Sequence, residues 1–575
     1  MPTLNWIGKE AVVNHHKDVP FHLLKDVPEL GCGDLGSGNL VVKADNLVAL
    51  KALLPHYARQ VKCIYIDPPY NTGKEGWTYN DNVNSPVIRE WLGKVVGKEG
   101  ETLDRHDRWL CMMYPRLKLL EQFLRDDGVI FISIGRDELA NLLTLGDDIF
   151  KRKNLIEVLI WNTHGHTENQ EEITGVHEYV VAYAKDKAKA SIRNVVDPSV
   201  PPDSKIRRDF AENSITKNGP KNPPSIVELP KGFPCEAESL TLEPMERFDA
   251  FYKEADSAKA ISKNLTKRFK AVYPVRADRM LIKNGKLEQS CRVFTGWSSA
   301  DKLKAFITNG CCPIDDGGTR LSFYLSKKGV LYYRREGRQS HYVQSVLTNF
   351  GTTEKSSSLL KQMGLNFDYP KPIELIAFLI SLYAGPGELV MDSFAGSGTT
   401  GHAALTSDEK RRFILVELEN NNAHAVASRL TKVIQGFTRS DGKKVRGVGG
   451  GFRFCELGDQ LFDETGKIRE SVRFAELARH VFFTETGEPL PRERVTKTPL
   501  LGVTETGIAV YLLFNGILKD KSVDGGNILT GATLEILPPH DGPRVVYAAG
   551  CRLSSERLKR GNIVFKQTPY SIRLQ

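Results

Sequence analysis

Short, continuously apolar runs alternate with amphipathic ones along the first third of the chain. "NLVVKAD" reads as a strand ending at Asp45, with "NLVALKALLPHYA" as a helix behind it; "VKCIYID" follows as a buried strand. "HDRWLCMMYPRLKLLEQFLRDDG" reads as a helix that Pro115 must kink or split, "GVIFISI" as a strand and "RDELANLLTLGDDIF" as an amphipathic helix. Such alternation predicts a mostly parallel, doubly wound sheet. It is lost between about Asp186 and Asn366 and then resumes. "KPIELIAFLISLYA" is a helix, "GELVMDSF" a strand, "TTGHAALTS" a helix, "RRFILVELE" a strand and "NNAHAVASRLTKVIQGF" a helix. Beyond the glycine-rich "GVGGGF" come hairpin-like pieces such as "AVYLLFNGIL" and "RVVYAAG". The expected plan is therefore a polar N-terminal arm (1–30), half of an α/β sheet (31–185) and an inserted module (186–366). The other half (367–440) and a C-terminal α+β module (441–575) complete it.

Composition changes this picture little. The 575 residues are 41% hydrophobic and 26% charged, enough for several packed domains. The formal charge of +9 is compatible with an anionic partner. Nine cysteines without a C-x-x-C argue against a disulfide framework and a zinc ribbon, so no metal is expected. The start, "MPTLNWIGKEAVVNHHKD", is charged where a signal peptide needs an apolar core, and no run suits a membrane span; a cytoplasmic protein is expected. The inserted stretch, with "SKIRRDF", "KNLTKRFKAVYPVRADR" and "LYYRREGRQSHY", interleaves basic and aromatic residues. A solvated surface explains that blandly. Phosphates and base faces ask for the same residues.

Two segments carry candidate chemistry. "GELVMDSFAGSGTTGHAAL" holds Gly396-Ser397-Gly398-Thr399-Thr400-Gly401, a G-x-G-x-x-G between strand and helix, and Glu417 ends the next strand. Glycines allow a close approach of ligand to backbone, and an acid one unit later can hold ribose hydroxyls. Tight strand–helix packing alone would also explain the turn. A P-loop for ATP is excluded because no lysine follows the glycines. NAD and S-adenosylmethionine both fit it.

The second segment, "VKCIYIDPPYNTG", breaks the tie. Hydride transfer has no use for Asp-Pro-Pro-Tyr at a strand end, whereas methyl transfer to an exocyclic amine does. The amino nitrogen of adenine or cytosine is a poor nucleophile because its lone pair is delocalised into the ring. Acceptors aimed at both its hydrogens favour the tetrahedral form and strengthen as positive charge develops. Asp67 can supply one acceptor and the Pro68 carbonyl another. Pro68 and Pro69 fix the backbone so that the carbonyl faces the crevice, and Tyr70 can stack on the base.

With these residues in view, the chain resembles the amino-methylating DNA methyltransferases of the β-ordered group, which includes the modification subunits of type III restriction-modification systems. The likeness spans roughly residues 38 to 455. It rests on the two segments above and on "WTYNDN", "RDDGVIFISI", "HEYVVAYAK", "YPKPIELIAFLI" and "RRFILVELE". It implies a Rossmann-like, S-adenosylmethionine-dependent methyltransferase sheet with Asp67, Pro68, Pro69 and Tyr70 as the catalytic motif. Asp392, Phe394, Gly396, Gly398 and Thr399 would form the cofactor loop, and Glu417 would grip the ribose. Asp45 and Asn46 would lie near the adenine end of the cofactor, and Lys371 and Pro372 near its methionine end. The family places Gly before the first of these acids, where this chain has Ala44. Residues 186–366 would be the target-recognition domain. The resemblance further implies double-stranded DNA as substrate, a flipped target base, N6 of adenine ahead of N4 of cytosine, and dimerisation. A helicase-endonuclease partner would accompany a true type III subunit, and the C-terminal module is its expected contact. An RNA or protein amide methyltransferase, and a catalytically silent DNA-binding subunit, are the competing readings.

Overall fold

The computed structural model describes residues 4–72, 105–163, 175–201, 203–219, 221–337, 342–367, 369–439, 441–490, 498–514, 517–518 and 526–569. "WTYNDN", at 77–82, lies outside them. Two compact units emerge, one formed by Met1–Arg193 and Gln344–Gln575, the other by Asn194–Val343.

The first unit is built on an eleven-stranded sheet. Its strands are β1 (His22–Asp26), β2 (Cys32–Gly33), β3 (Leu40–Lys43), β4 (Val61–Ile66), β5 (Leu124–Ile134), β6 (Leu155–Asn162), β7 (His177–Ala184), β8 (Val346–Leu347), β9 (Leu389–Asp392), β10 (Arg412–Glu417) and β11 (Gly451–Gln460). They lie in the order β1-β11-β3-β10-β9-β4-β5-β7-β6-β8, with β2 also on β11. From β11 to β5 every pairing is parallel; β7 runs antiparallel between β5 and β6. The central strands are apolar throughout, as strands covered on both faces must be.

Helices α1 (Asn46–Tyr57), α2 (Arg105–Phe123) and α3 (Leu139–Gly146) share one core with the sheet. Farther along the chain come α4 (Ile373–Ser381), α5 (Thr399–Thr406) and α6 (Asn420–Gln435), and residues of α5 and α6 build a separate core around Val41, Phe413 and Leu415. Pro115 neither ends nor divides α2, which runs unbroken through it: Tyr114, Pro115 and Leu117 are all buried, and packing outweighs the lost backbone bond. The expected helix stops early, because "LRDDG" enters β5.

Two boundaries need correction. The N-terminal arm is not a free polar segment: β1 pairs antiparallel with β11, and Trp6, Val12 and Val19 enter the main core. The C-terminal module does not begin at 441, because β11 pairs parallel to β3 with Arg453 opposite Leu40. "GVGGGF" is thus no linker but a close approach. A Cβ on Gly451 would lie 2.2 Å from the amide of Asp34, so the strand can seat only with glycine there. Beyond it, α7 (Phe474–Thr486) packs on a four-stranded sheet formed by Leu500–Val503, Ala509–Leu512, Arg544–Ala548 and Ile563–Gln567.

The second unit is more regular than its loop-rich sequence suggests. Small antiparallel sheets, among them one ordering Ile314–Asp315, Arg320–Leu325, Leu331–Glu336 and Phe210–Ser214, surround a core that includes Phe233, Val293 and Phe323. Strands of this length bury alternate residues, and Arg320 and Arg292 take outward positions. Across the described residues no helix is long and apolar enough to cross a membrane.

Candidate active site

The pairing of β9 with β4 brings the two chemical segments together. Val390 sits opposite Cys63 and Met391 opposite Ile64, so Asp392 and Asp67 leave the sheet at neighbouring carboxyl ends. From β9 the chain passes through α5 to β10 on one side; from β4 it passes through α2 to β5 on the other. Such a reversal opens a crevice at the strand ends, where open α/β sheets bind ligands.

At β4, Asp67 receives the Lys371 ammonium on both carboxylate oxygens, at 3.0 and 2.7 Å. The same ammonium lies 3.5 Å from Glu178 and 4.9 Å from the centre of the Tyr70 ring. The Tyr70 hydroxyl donates to Glu178 at 2.8 Å, and burial pushes its pKa well above the usual phenol value. Gly135 makes room for that ring, since a Cβ there would meet Tyr70 Cδ2 at 3.1 Å. The Trp109 indole donates to the Pro69 carbonyl at 2.7 Å, whereas among the described residues nothing donates to the Pro68 carbonyl. Asn71, in the left-handed region at φ 56°, closes the turn. It donates to the Arg105 carbonyl and to buried Glu138, which also pairs with His106 at 2.7 Å and Asn141 at 2.7 Å.

At β9, Asp392 is buried and accepts from the Phe394 amide at 3.0 Å and the Thr400 hydroxyl at 2.6 Å. Desolvation raises its pKa to about 7, with the nearby charges of Asp67 and Glu417 adding to the rise. Gly396 and Gly398 adopt φ of 50° and 78°, the left-handed region that glycine enters without strain. Glu417 accepts from the Gly396 amide at 2.7 Å and the Glu419 amide at 3.2 Å, and its pKa is likewise pushed to about 7 by desolvation. Arg429 of α6, only 1% exposed, donates from beneath to the Ser397 carbonyl at 2.9 Å, the Ser397 hydroxyl at 3.0 Å and the Thr399 hydroxyl at 3.1 Å. Burial lowers its pKa to about 9.

The remaining sequence-assigned residues have evident structural duties. Asp45 caps α1 by accepting from the amides of Leu47 and Val48, and pairs with Arg116 at 3.0 Å. Asn46 accepts from Arg116 and donates to the Ser393 carbonyl at 3.0 Å, tying α1 to the loop after β9. Pro372 precedes α4 as its cap. Lys371, expected at the cofactor's methionine end, spends its side chain on Asp67, while its carbonyl accepts from Thr399 at 3.4 Å. It therefore touches both segments.

Sequence reasoning assigned no role to Glu178, Glu138, Trp109, Arg116 or Arg429. The arginines left a signal. Arg429 falls on the stripe of buried Val426, Leu430 and Val433, and Arg116 among Met112, Met113, Leu117 and Leu120. A cation on an apolar stripe needs acceptors, and both find them at the site.

A family model described as DNA methylase matches residues 61–428. The Mod subunit of the type III restriction-modification enzyme EcoP15I from Escherichia coli is 29% identical over 442 residues, 72% of this chain and 64% of that protein. The EcoPI Mod subunit from Escherichia phage P1 is 29% identical over 443 residues, 72% of this chain and 63% of that protein. The chain thus spans just under two thirds of the length of these relatives. Among solved structures, the DNA modification methylase TTHA0409 of Thermus thermophilus, complexed with S-adenosyl-L-methionine, overlaps 73% of this chain and 100% of its own at 14% identity. Its TM-score of 0.30 is too low to bear on function.

The two raised carboxyl groups fix a pH dependence. Asp392 and Glu417 ordinarily titrate near 3.8 and 4.5, but in the fold near 7. Between those values the native state holds protons that the unfolded chain has released, so their contribution to stability falls as pH rises and levels off above about 7. Asp392→Asn copies the neutral acid. Urea denaturation at pH 5 and pH 8 should show the variant gaining stability relative to wild type at the higher pH; an unchanged difference would refute the assignment.

Proposed function

Because the chain belongs to the N6/N4 DNA methylase family, we propose that it methylates an exocyclic base amine in duplex DNA, N6 of adenine, with S-adenosylmethionine as donor. The observation that carries this reading is the side-by-side exit of Asp67 and Asp392 from paired strands. The glycine turn fits a nucleoside ligand: two left-handed glycines clear the backbone and Glu417 stands at the adjoining strand end to take ribose hydroxyls. When bound, the sulfonium supplies an activated methyl group whose loss leaves a neutral thioether.

The chain's own residues do the rest. An Asp67 oxygen accepts one amino hydrogen and the Pro68 carbonyl the other. Their pull grows as the nitrogen becomes tetrahedral and positive while the new C–N bond forms and the C–S bond breaks. The surplus proton passes to Asp67 and on to solvent. To admit the amine, the Lys371 ammonium must leave Asp67, and Glu178, 3.5 Å away, is a second carboxylate to receive it. Tyr70, fixed through its hydroxyl, supplies a flat face for the base. Adenine is favoured by the resemblance, in which Asp-Pro-Pro-Tyr is commoner among adenine enzymes. N4 of cytosine asks for the same acceptors and is the alternative.

A target base must be extruded from the duplex to reach such a crevice. Residues 194–343 are the proposed reader of base edges and phosphates; Arg320 and Arg279 are among their exposed cations. The similarity to Mod subunits supports a place in a type III restriction-modification system, with a second copy and a helicase-endonuclease subunit as partners.

Three outcomes test this. Asp67→Ala should lower methylation by at least about a thousandfold while calorimetry finds S-adenosylmethionine binding nearly unchanged; a variant with wild-type activity would remove Asp67 from the chemistry. Mass spectrometry of nucleosides from methylated DNA should show N6-methyladenine, and N4-methylcytosine in its place would select the alternative. DNA affinity should fall steeply between about 50 and about 200 mM salt, as released counterions require. A flat profile would take residues 194–343 off the phosphate backbone.

A further inference from the structure

A cavity of about 610 Å³ lies within the first unit, and none of the residues lining it belongs to the site described above. Lys51 of α1 enters it with its ammonium buried. That group donates to the carbonyls of His16 at 3.0 Å and Lys17 at 3.1 Å, and lies 4.7 Å from the centre of the Phe21 ring. Among the described residues no carboxylate pairs with it, and its third proton is unspent. Burial lowers its pKa to about 8.

On the same phenyl ring, 4.2 Å centre to centre and edge-on, sits His480 of α7. It is 3% exposed, and among the described residues neither ring nitrogen has a hydrogen-bond partner. His16 Nδ1 is unpartnered among them as well. Buried imidazoles without partners are costly, and an apolar side chain would fill the space beside Phe21 and Phe462 without that cost. The acids at the rim offer little competition. Asp463 is engaged by the Thr465 hydroxyl and the Lys467 amide, and Asp18 is offset by Lys17.

We propose that this cavity binds a small ligand through an anionic oxygen group, phosphate or carboxylate, which takes the third proton of Lys51 and the N–H of His480. The body of the ligand rests against Phe21 and Phe462. The inference is independent of the methyl-transfer reading, since it shares no residue with it.

Calorimetric titration of the full-length protein with inorganic phosphate, and separately with acetate, at constant ionic strength in chloride, tests it. Saturable binding of at least one anion is expected, weakened about tenfold or more in Lys51→Met and in His480→Phe. Lys51→Arg should retain it, and circular dichroism would verify that each variant is folded. Phosphate alone would identify a phosphorylated ligand, and acetate alone a carboxylate. Absence of saturable binding by both anions, or binding unchanged in folded Lys51→Met and His480→Phe, would overturn the proposal.

Discussion

Everything at the site depends on one parallel pairing, that of β9 with β4. These strands are separated by more than three hundred residues of chain, yet their register sets how far apart Asp67 and Asp392 leave the sheet. A slip of one residue would turn every side chain of either strand to the opposite face. The register is secured by burial on both faces, since Cys63, Ile64, Val390 and Met391 are all 0% exposed. An inserted unit of Asn194–Val343 is compatible with this because the sheet closes around the pairing without it: Arg193 donates to the Leu382 carbonyl at 2.8 Å and clamps Glu409, fixing the exit point.

Buried cations then hold the loops that the sheet cannot. Arg116 ties Asp45 to Asn46, and Asn46 reaches the Ser393 carbonyl. Arg429 grips the glycine turn from below through neutral oxygens only, apart from a contact with His402. Glycine turns are entropically expensive to order, and a guanidinium with several fixed donors suits that task better than an ammonium on a flexible stem. The unpaired charge explains why His402, beside Arg429, is held neutral, its pKa lowered to about 3 chiefly by burial.

The legible parts of the sequence were those where local pattern and tertiary demand coincide. Continuous apolar runs marked β4, β5, β9 and β10, and left-handed geometry at Gly396 and Gly398 matched the strand–turn–helix reading. The edges were illegible. β1 and β11 show no apolar run that sets them apart from a loop, since edge positions are half-exposed, and β11 reaches β3 only through glycines that resemble a linker. Pro115 misled because helix-breaking is a local cost, and the core around α2 outweighs it. Lys371 misled differently: its backbone lies where the motif implies, beside Thr399, but a long side chain can serve a second segment that sequence spacing does not reveal.

That second service makes physical sense in the proposed reaction. A half-buried carboxylate with no donor is costly, and Asp67 would face that cost whenever no base is bound. The Lys371 ammonium offers the same kind of group as the substrate, an N–H donor carrying positive charge, and so resembles the nitrogen that Asp67 must stabilise during transfer. Exchange of ammonium for amine then replaces one donor with another, and Glu178 keeps the displaced charge paired. Because Glu178 also accepts from the Tyr70 hydroxyl, the arriving ammonium and the base-stacking ring share one anchor. Opening of the acceptor and positioning of the aromatic face are thereby coupled through a single carboxylate at the start of β7.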